Sequence, residues 1–162
     1  MADTTPEIRE ILEASGLDFE VMDCDPSLAD TAVFCEHYGV SLDHSANTIL
    51  VKSKTGEEKF VACVVLATTR LDVNKTVRKK MGARKVSFAS ADETRDITGM
   101  EIGGVTPIAL PDGLPIWIDD AVMQCEYVVL GGGNRECKIK VDPRALLQQP
   151  AAEVVDGLAK RD

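Results

Sequence analysis

The ten residues Thr98–Pro107, T-G-M-E-I-G-G-V-T-P, hold the most specific chemistry in the chain. Glycine permits positive φ and close approach, whereas Pro107 fixes φ and removes a donor. Successive amides in such a turn form a concavity for an anion or a carbonyl oxygen. A loop of this composition also serves simply to join two elements, and its spacing alone leaves both readings open. Two other stretches carry useful groups. Pro115–Asp119 (P-I-W-I-D) reads as a strand ending on a carboxylate, and Gly131-Gly132-Gly133-Asn134-Arg135 sets a guanidinium beside a glycine run. That run is not a P-loop, because the G-K-[ST] ending and the following helix are missing. Ser45 beside His44 is sequence proximity without the geometry of a nucleophilic pair. The five cysteines are odd in number, lack a C-x-x-C and have two histidines for company. That spacing predicts reduced structural thiols and no metal or other cofactor.

Charge is distributed unevenly. The net charge is −9, yet Arg70–Lys85 carries seven basic residues against Asp72, so that window is +6 and the remainder −15. Lys75, Arg78, Lys79, Lys80, Arg84 and Lys85 are therefore candidates for phosphate contact, a local and salt-dependent effect; a solvated helix face gives the same pattern. With 162 residues, 44% apolar and 28% charged, the composition predicts one domain over 1–162 with a real core. No apolar run reaches membrane-spanning length and no signal peptide is evident, which predicts a soluble, cytoplasmic protein.

The elements that must position these groups follow from periodicity. Pro6–Ala14 has helical spacing with Thr4 or Thr5 as cap. Asp18–Cys24 is a short strand, and a second helix runs from Ser27 or Asp30 to Tyr38, stopped by Gly39. Asn47–Lys54 and Lys59–Ala67 flank a glycine turn as the clearest hairpin. Asp72 opens a basic helix over Val73–Met81, Lys85–Phe88 is β-prone, and Ser90 with Glu93 forms a capping box leading into the Thr98 loop. Pro115–Asp119, Glu126–Leu130 and Cys137–Val141 read as strands, the last two joined at the triple glycine. A helix cap follows at Asp142-Pro143, and Ala151–Ala159 is predicted to close the chain as an amphipathic helix. The class is α+β with a mixed, largely antiparallel sheet.

The order of these motifs resembles the YbaK/ProX-like family, freestanding relatives of the editing domain inserted in bacterial prolyl-tRNA synthetases. The resemblance rests on Asn47–Val51, Gly103-Gly104-Val105-Thr106-Pro107 as a G-x-x-x-P element, Leu114–Asp119 and Gly131–Arg135. It implies a compact, curled mixed sheet flanked by helices, and hydrolysis of the ester of a tRNA charged with the wrong amino acid, without cofactor. The partners implied are the tRNA 3′ end and an aminoacyl-tRNA synthetase. By position, Gly103–Pro107 would face the aminoacyl carbonyl, with Asp119, Gly131, Gly132, Gly133 and Arg135 beside the same pocket. Active relatives carry lysine where this chain has Asn47, which hydrogen-bonds without charge. Lys52 and Lys54 are an odd number of positions away, so on a strand they face the other side. The resemblance thus implies either a deacylase relying on backbone amides and Asn47, or a binding module that has lost hydrolysis.

Overall fold

The computed structural model describes residues 3–161. Helix α1 (Pro6–Ala14) begins where Thr5 Oγ1 accepts the Ile8 N–H, and buries Ile8 and Leu12. Strand β1 (Phe19–Asp23) and a 3-10 turn at Pro26–Leu28 lead to α2 (Thr31–Tyr38), which Gly39 ends in the left-handed region. The predicted hairpin is β2 (Ala46–Ser53) against β3 (Phe60–Leu66), with Asn47 opposite Val65. After β4 (Thr69–Leu71), the basic segment winds as a π-helical turn, Val73–Val77, continuing into α3 (Arg78–Met81). Strand β5 (Val86–Phe88) returns to β2. Helix α4 (Ala91–Thr98) carries the complete Ser90/Glu93 capping box and is stopped by Gly99. Then follow β6 (Ile116–Asp119), α5 (Asp120–Met123), β7 (Val128–Gly131), β8 (Cys137–Val141), α6 (Arg144–Leu147), β9 (Ala152–Val155) and β10 (Ala159–Arg161).

The last two strands replace the helix predicted for Ala151–Ala159. Val154 and Val155 are β-branched and favour a strand, and Gly157 at φ 71° turns the chain between the two strands. Tertiary pairing decides the outcome. Strand β9 adds in parallel to β6, with Ile118 opposite Val154, and β10 pairs antiparallel with β4, with Lys160 opposite Arg70.

The main sheet has the order β5-β2-β3-β6-β9. Its β5/β2/β3 part is antiparallel and its β3/β6/β9 part parallel. A second, antiparallel sheet has the order β1-β8-β7 and touches the first through a bridge from Ser45 to Val129. One face of the main sheet (Ala46, Leu50, Ala62, Val64, Ile116, Ile118) packs on Ile8, Leu12, Leu130 and Ile139. The other (Val51, Val61, Cys63, Val65, Trp117) is covered by Leu71, Val77 and Leu158. A smaller cluster of Ala29, Phe34, Cys35 and Val129 seats α2. Burying each large apolar side chain contributes roughly 1.5–3 kcal/mol. The architecture is α+β, as expected, and it leaves the amino-terminal end of β2 between α2, β7 and the Thr98 loop.

Candidate functional site

At that end lies a cavity of about 240 Å³, lined by Asn47, Gly103, Val105 and Gly131 among others. Odd positions of β2 face away from the Ala46/Leu50 core, so Asn47 points to the side on which α2 sits. Thr31, the first residue of α2, donates its hydroxyl to Asn47 Oδ1 at 2.5 Å. This fixes the amide with its oxygen occupied. Among the described residues, Asn47 Nδ2 has no hydrogen-bond partner.

The facing wall is backbone. Gly103 takes φ 92°, and Gly104 N–H closes the turn on Glu101 O at 2.8 Å. Gly104 O then accepts the Gly133 N–H at 2.7 Å, locking the loop to the β7–β8 hairpin. The approach leaves no room for side chains. A Cβ on Gly104 would lie 2.4 Å from Asn134 O, and one on Gly131 only 2.3 Å from Val105 O. Among the described residues, the amides of Gly103 and Val105 have no acceptor. Thr106 is fully buried with its N–H 3.5 Å from Met100 Sδ, so with Pro107 it stands behind the wall.

Two cations hold this wall. Arg135 donates to Pro26 O through Nε and Nη2 and to Ile102 O through Nη1, which also pairs with Asp30 at 3.2 Å. Its guanidinium is an internal staple across three loops, the fork geometry doing what a point charge would not. Lys138, on β8, donates from Nζ to Ala29 O and to Gly103 O, each at 2.6 Å, and lines the cavity. Burial pushes its ammonium below the usual lysine range.

Residues 25–148 match the family model described as aminoacyl-tRNA editing domain. The chain belongs to the aminoacyl-tRNA editing domain family. It is 30% identical over 127 residues to the uncharacterized protein YwhH of Bacillus subtilis (strain 168), covering 78% of each chain. The solved structure of hypothetical protein APE2540 superposes with TM-score 0.82 at 26% identity, over 95% of this chain and 99% of that one. A structure described as a candidate trans-editing enzyme for prolyl tRNA synthetase superposes with TM-score 0.76 at 24% identity, covering 98% and 99%. At that identity the second likeness speaks for the fold alone.

Within this editing domain, the residues singled out from sequence divide into two groups. Asn47, Gly103, Val105 and Gly131 line the cavity. Gly104, Gly132, Gly133 and Arg135 build it from behind: Gly132 O accepts the Thr4 hydroxyl at 2.6 Å, and a Cβ there would meet Cys137. Asp119 is a correction. It does not line the cavity; it is buried at the start of α5, and Oδ1 accepts the Ala159 N–H at 3.2 Å. Burial is the largest influence on its carboxyl and raises its pKa, with the Ala159 N–H opposing. A strand-terminal aspartate reads as a pocket residue only while the strand that covers it, β10, is taken for helix.

The other possible nucleophiles are occupied or inert. His44 stacks on Tyr127 at 4.2 Å with Nδ1 on Tyr127 O, while Ser45 Oγ lies 3.0 Å from Cys35 Sγ. Burial pushes the Cys63 thiol up to about 12. Lys52, as its parity requires, turns elsewhere and pairs with Glu93 at 2.7 Å. Lys138 is the residue that sequence reading missed. In C-K-I-K-V it alternates with Ile139 and so reads as the solvent side of β8; only α2 folding over that side, with Phe34 5.3 Å from Nζ, buries it.

The basic segment packs on β2 beyond the cavity. Val51 packs with Val77 of that segment, four residues from Asn47 and so roughly 13 Å along the strand. Arg78 is turned onto Asn74 O and Ala83 O, and Lys80 pairs with Glu153 at 2.8 Å. Among the described residues, Lys75, Lys79, Arg84 and Lys85 have no carboxylate partner. No helix among the described residues is long and apolar enough to cross a membrane.

Proposed function

We propose that the chain is a trans-editing aminoacyl-tRNA deacylase, which hydrolyses the ester of a mischarged tRNA in the cytoplasm. The observation carrying this reading is that one cavity of an editing-family fold is lined by Asn47, whose Nδ2 is unengaged, and by Gly103 and Val105, whose amides are unengaged among the described residues. About 240 Å³ is below the roughly 300–1,000 Å³ of pockets for drug-sized ligands. It suits an aminoacyl group and leaves the terminal adenosine outside. Water adds to the ester carbonyl, the carbon–oxygen bond to the ribose breaks, and the ribose hydroxyl leaves with a proton. Each donor placed on the developing oxyanion contributes roughly 10²–10³-fold in rate. Lys75, Lys79, Arg84 and Lys85 supply the phosphate contacts, and a synthetase is a natural neighbour for such a reaction. Release of labelled amino acid from a panel of mischarged tRNAs tests the reading. No release above background from alanyl, seryl, threonyl and cysteinyl esters would sink it.

A second reading is a binding module that keeps the pocket without the hydrolysis. It is favoured by the neutrality of Asn47, whose oxygen is already held by Thr31. Asn47→Lys separates the two: activity created where the natural chain has none supports the binding module, and activity diminished supports the enzyme.

A further inference from the structure

We propose that the ammonium of Lys138 is the anion-binding group of the cavity, holding the acyl carbonyl oxygen as it becomes negative. Which oxygen it meets rests on the ester-hydrolysis reading; that it meets an anion rests on geometry alone. A lysine ammonium has three N–H donors. Two are fixed by the carbonyls of Ala29 and Gly103, both at 2.6 Å. The third has no hydrogen-bond acceptor among the described residues, where the ring of Phe34 lies 5.3 Å from Nζ, in a side chain that lines the cavity. Nor does a carboxylate neutralise it. Asp30, the acid beside it, is engaged by Arg135 at 3.2 Å and is mostly exposed. Lys138 itself is only 5% exposed. An ammonium kept out of water without a counter-charge is costly unless something negative meets it. Bridging two carbonyls needs donors but not a charge, so the bridge does not account for the cation.

The charge also orients the substrate. The aminoacyl group carries its own ammonium, which is repelled from Lys138 and drawn toward the Asp30 carboxylate at the rim of the cavity. The carbonyl is thereby turned toward Lys138 and the Gly103 and Val105 amides. When water adds, the carbonyl π pair moves to oxygen, giving an alkoxide that Lys138 holds without transferring a proton. The alkoxide then re-forms the carbonyl as the ester bond to the ribose oxygen breaks, and that oxygen takes the proton released by the added water.

The test compares two adenosine probes on the full chain by calorimetry. One carries a 3′-methylphosphonate, tetrahedral and singly anionic; the other a 3′-alanylamide, planar and uncharged at its carbonyl. The natural chain is expected to bind the phosphonate at least about tenfold more tightly than the amide. Lys138→Met abolishes that preference and lowers the melting temperature, because Ala29 O and Gly103 O lose their donor, and Lys138→Arg restores part of both. A Lys138→Met preference equal to the natural chain's overturns the proposal, as does no preference in the natural chain. If Lys138→Met does not fold, lysine Nζ resonances of the natural chain decide: the phosphonate shifts that of the buried lysine and the amide does not, and an unmoved resonance overturns the proposal. Failure of the mischarged-tRNA panel with the preference intact removes the editing reading and leaves the anion site. Natural turnover in Lys138→Met removes the anion site and leaves editing.

Discussion

The cavity and the basic segment treat charge in opposite ways. Around the cavity, Arg135 and Lys138 are held by backbone carbonyls and cannot wander. Along Val73–Lys85, Lys75, Lys79, Arg84 and Lys85 extend from a short, partly π-helical segment without carboxylate partners among the described residues. Fixed donors suit a reacting atom, whose position matters to a fraction of an ångström. Exposed, unpaired cations suit a polyanion, whose phosphates are attracted over a Debye length of ~8 Å at physiological ionic strength whatever their exact placement. One end of the sheet is built for position and the other for attraction.

The most severe way to break this contrast is to separate the two loops that form the cavity wall. Gly131→Ala and Gly104→Ala drive a methyl into backbone atoms that have nowhere to move. Each is expected to cost about 3 kcal/mol, read as a melting-temperature drop of roughly 6–12 °C, with activity lost. Gly113→Ala is the opposite case: its φ is positive, at 86°, as those of Gly104 and Gly131 are not, but nothing lies within 4 Å, and about 1 kcal/mol is expected. Next in size is Asn47→Ala, which removes one donor and leaves the Thr31 hydroxyl without its acceptor. Turnover is expected to fall about 10²-fold, with about 1 kcal/mol of stability lost. A fall in stability without one in turnover would make Asn47 a tether for α2 alone.

The basic segment gives a gentler effect that depends on substrate. Lys75→Glu with Lys79→Glu should weaken tRNA binding and lower the slope of log K against log salt by about 2. Hydrolysis of an aminoacyl-adenosine, which lacks the tRNA backbone, should not change. If both substrates suffer equally, the two regions are not separable. The smallest effect concerns the Lys52–Glu93 pair. Lys52 first, then the Ser90 N–H, hold the Glu93 carboxyl below the usual glutamate range. The pair therefore stabilises the fold above that range and ceases to as pH falls through the lowered value. Melting curves of the natural chain and Glu93→Gln should differ at pH 7 and converge once the pH has fallen below the usual glutamate range.

Local signals in the sequence were strong wherever one element decides its own fate. The Ser90/Glu93 box, the β2–β3 hairpin and the triple-glycine turn are each readable because cap, alternation and turn lie within a few residues. The class and the editing-family resemblance followed from their order. What stayed hidden depends on partners distant in the chain. Ala152–Val155 becomes a strand because β6 offers an edge. Asp119 is sealed because β10 follows. Lys138 reads as a surface lysine because what covers it, Ala29, Phe34 of α2 and the Gly103 loop, lies far away in the chain. Amides that look available in T-G-M-E-I-G-G-V-T-P divide in the fold: Gly104 is engaged by Glu101, whereas Gly103 and Val105 are not.

The parallel addition of β9 has a consequence for assembly. Were Ala152–Val155 removed, the hydrogen-bonding edge of β6 from Ile116 to Asp119 would lie open, four buried residues long and flanked by core. An uncovered apolar edge of that kind templates pairing with other chains. In the intact molecule the outermost strand instead carries Glu153, exposed and paired with Lys80. Strand β9 thus acts as a guard against aggregation, placing the Glu153–Lys80 pair where the sheet would otherwise continue into its neighbours.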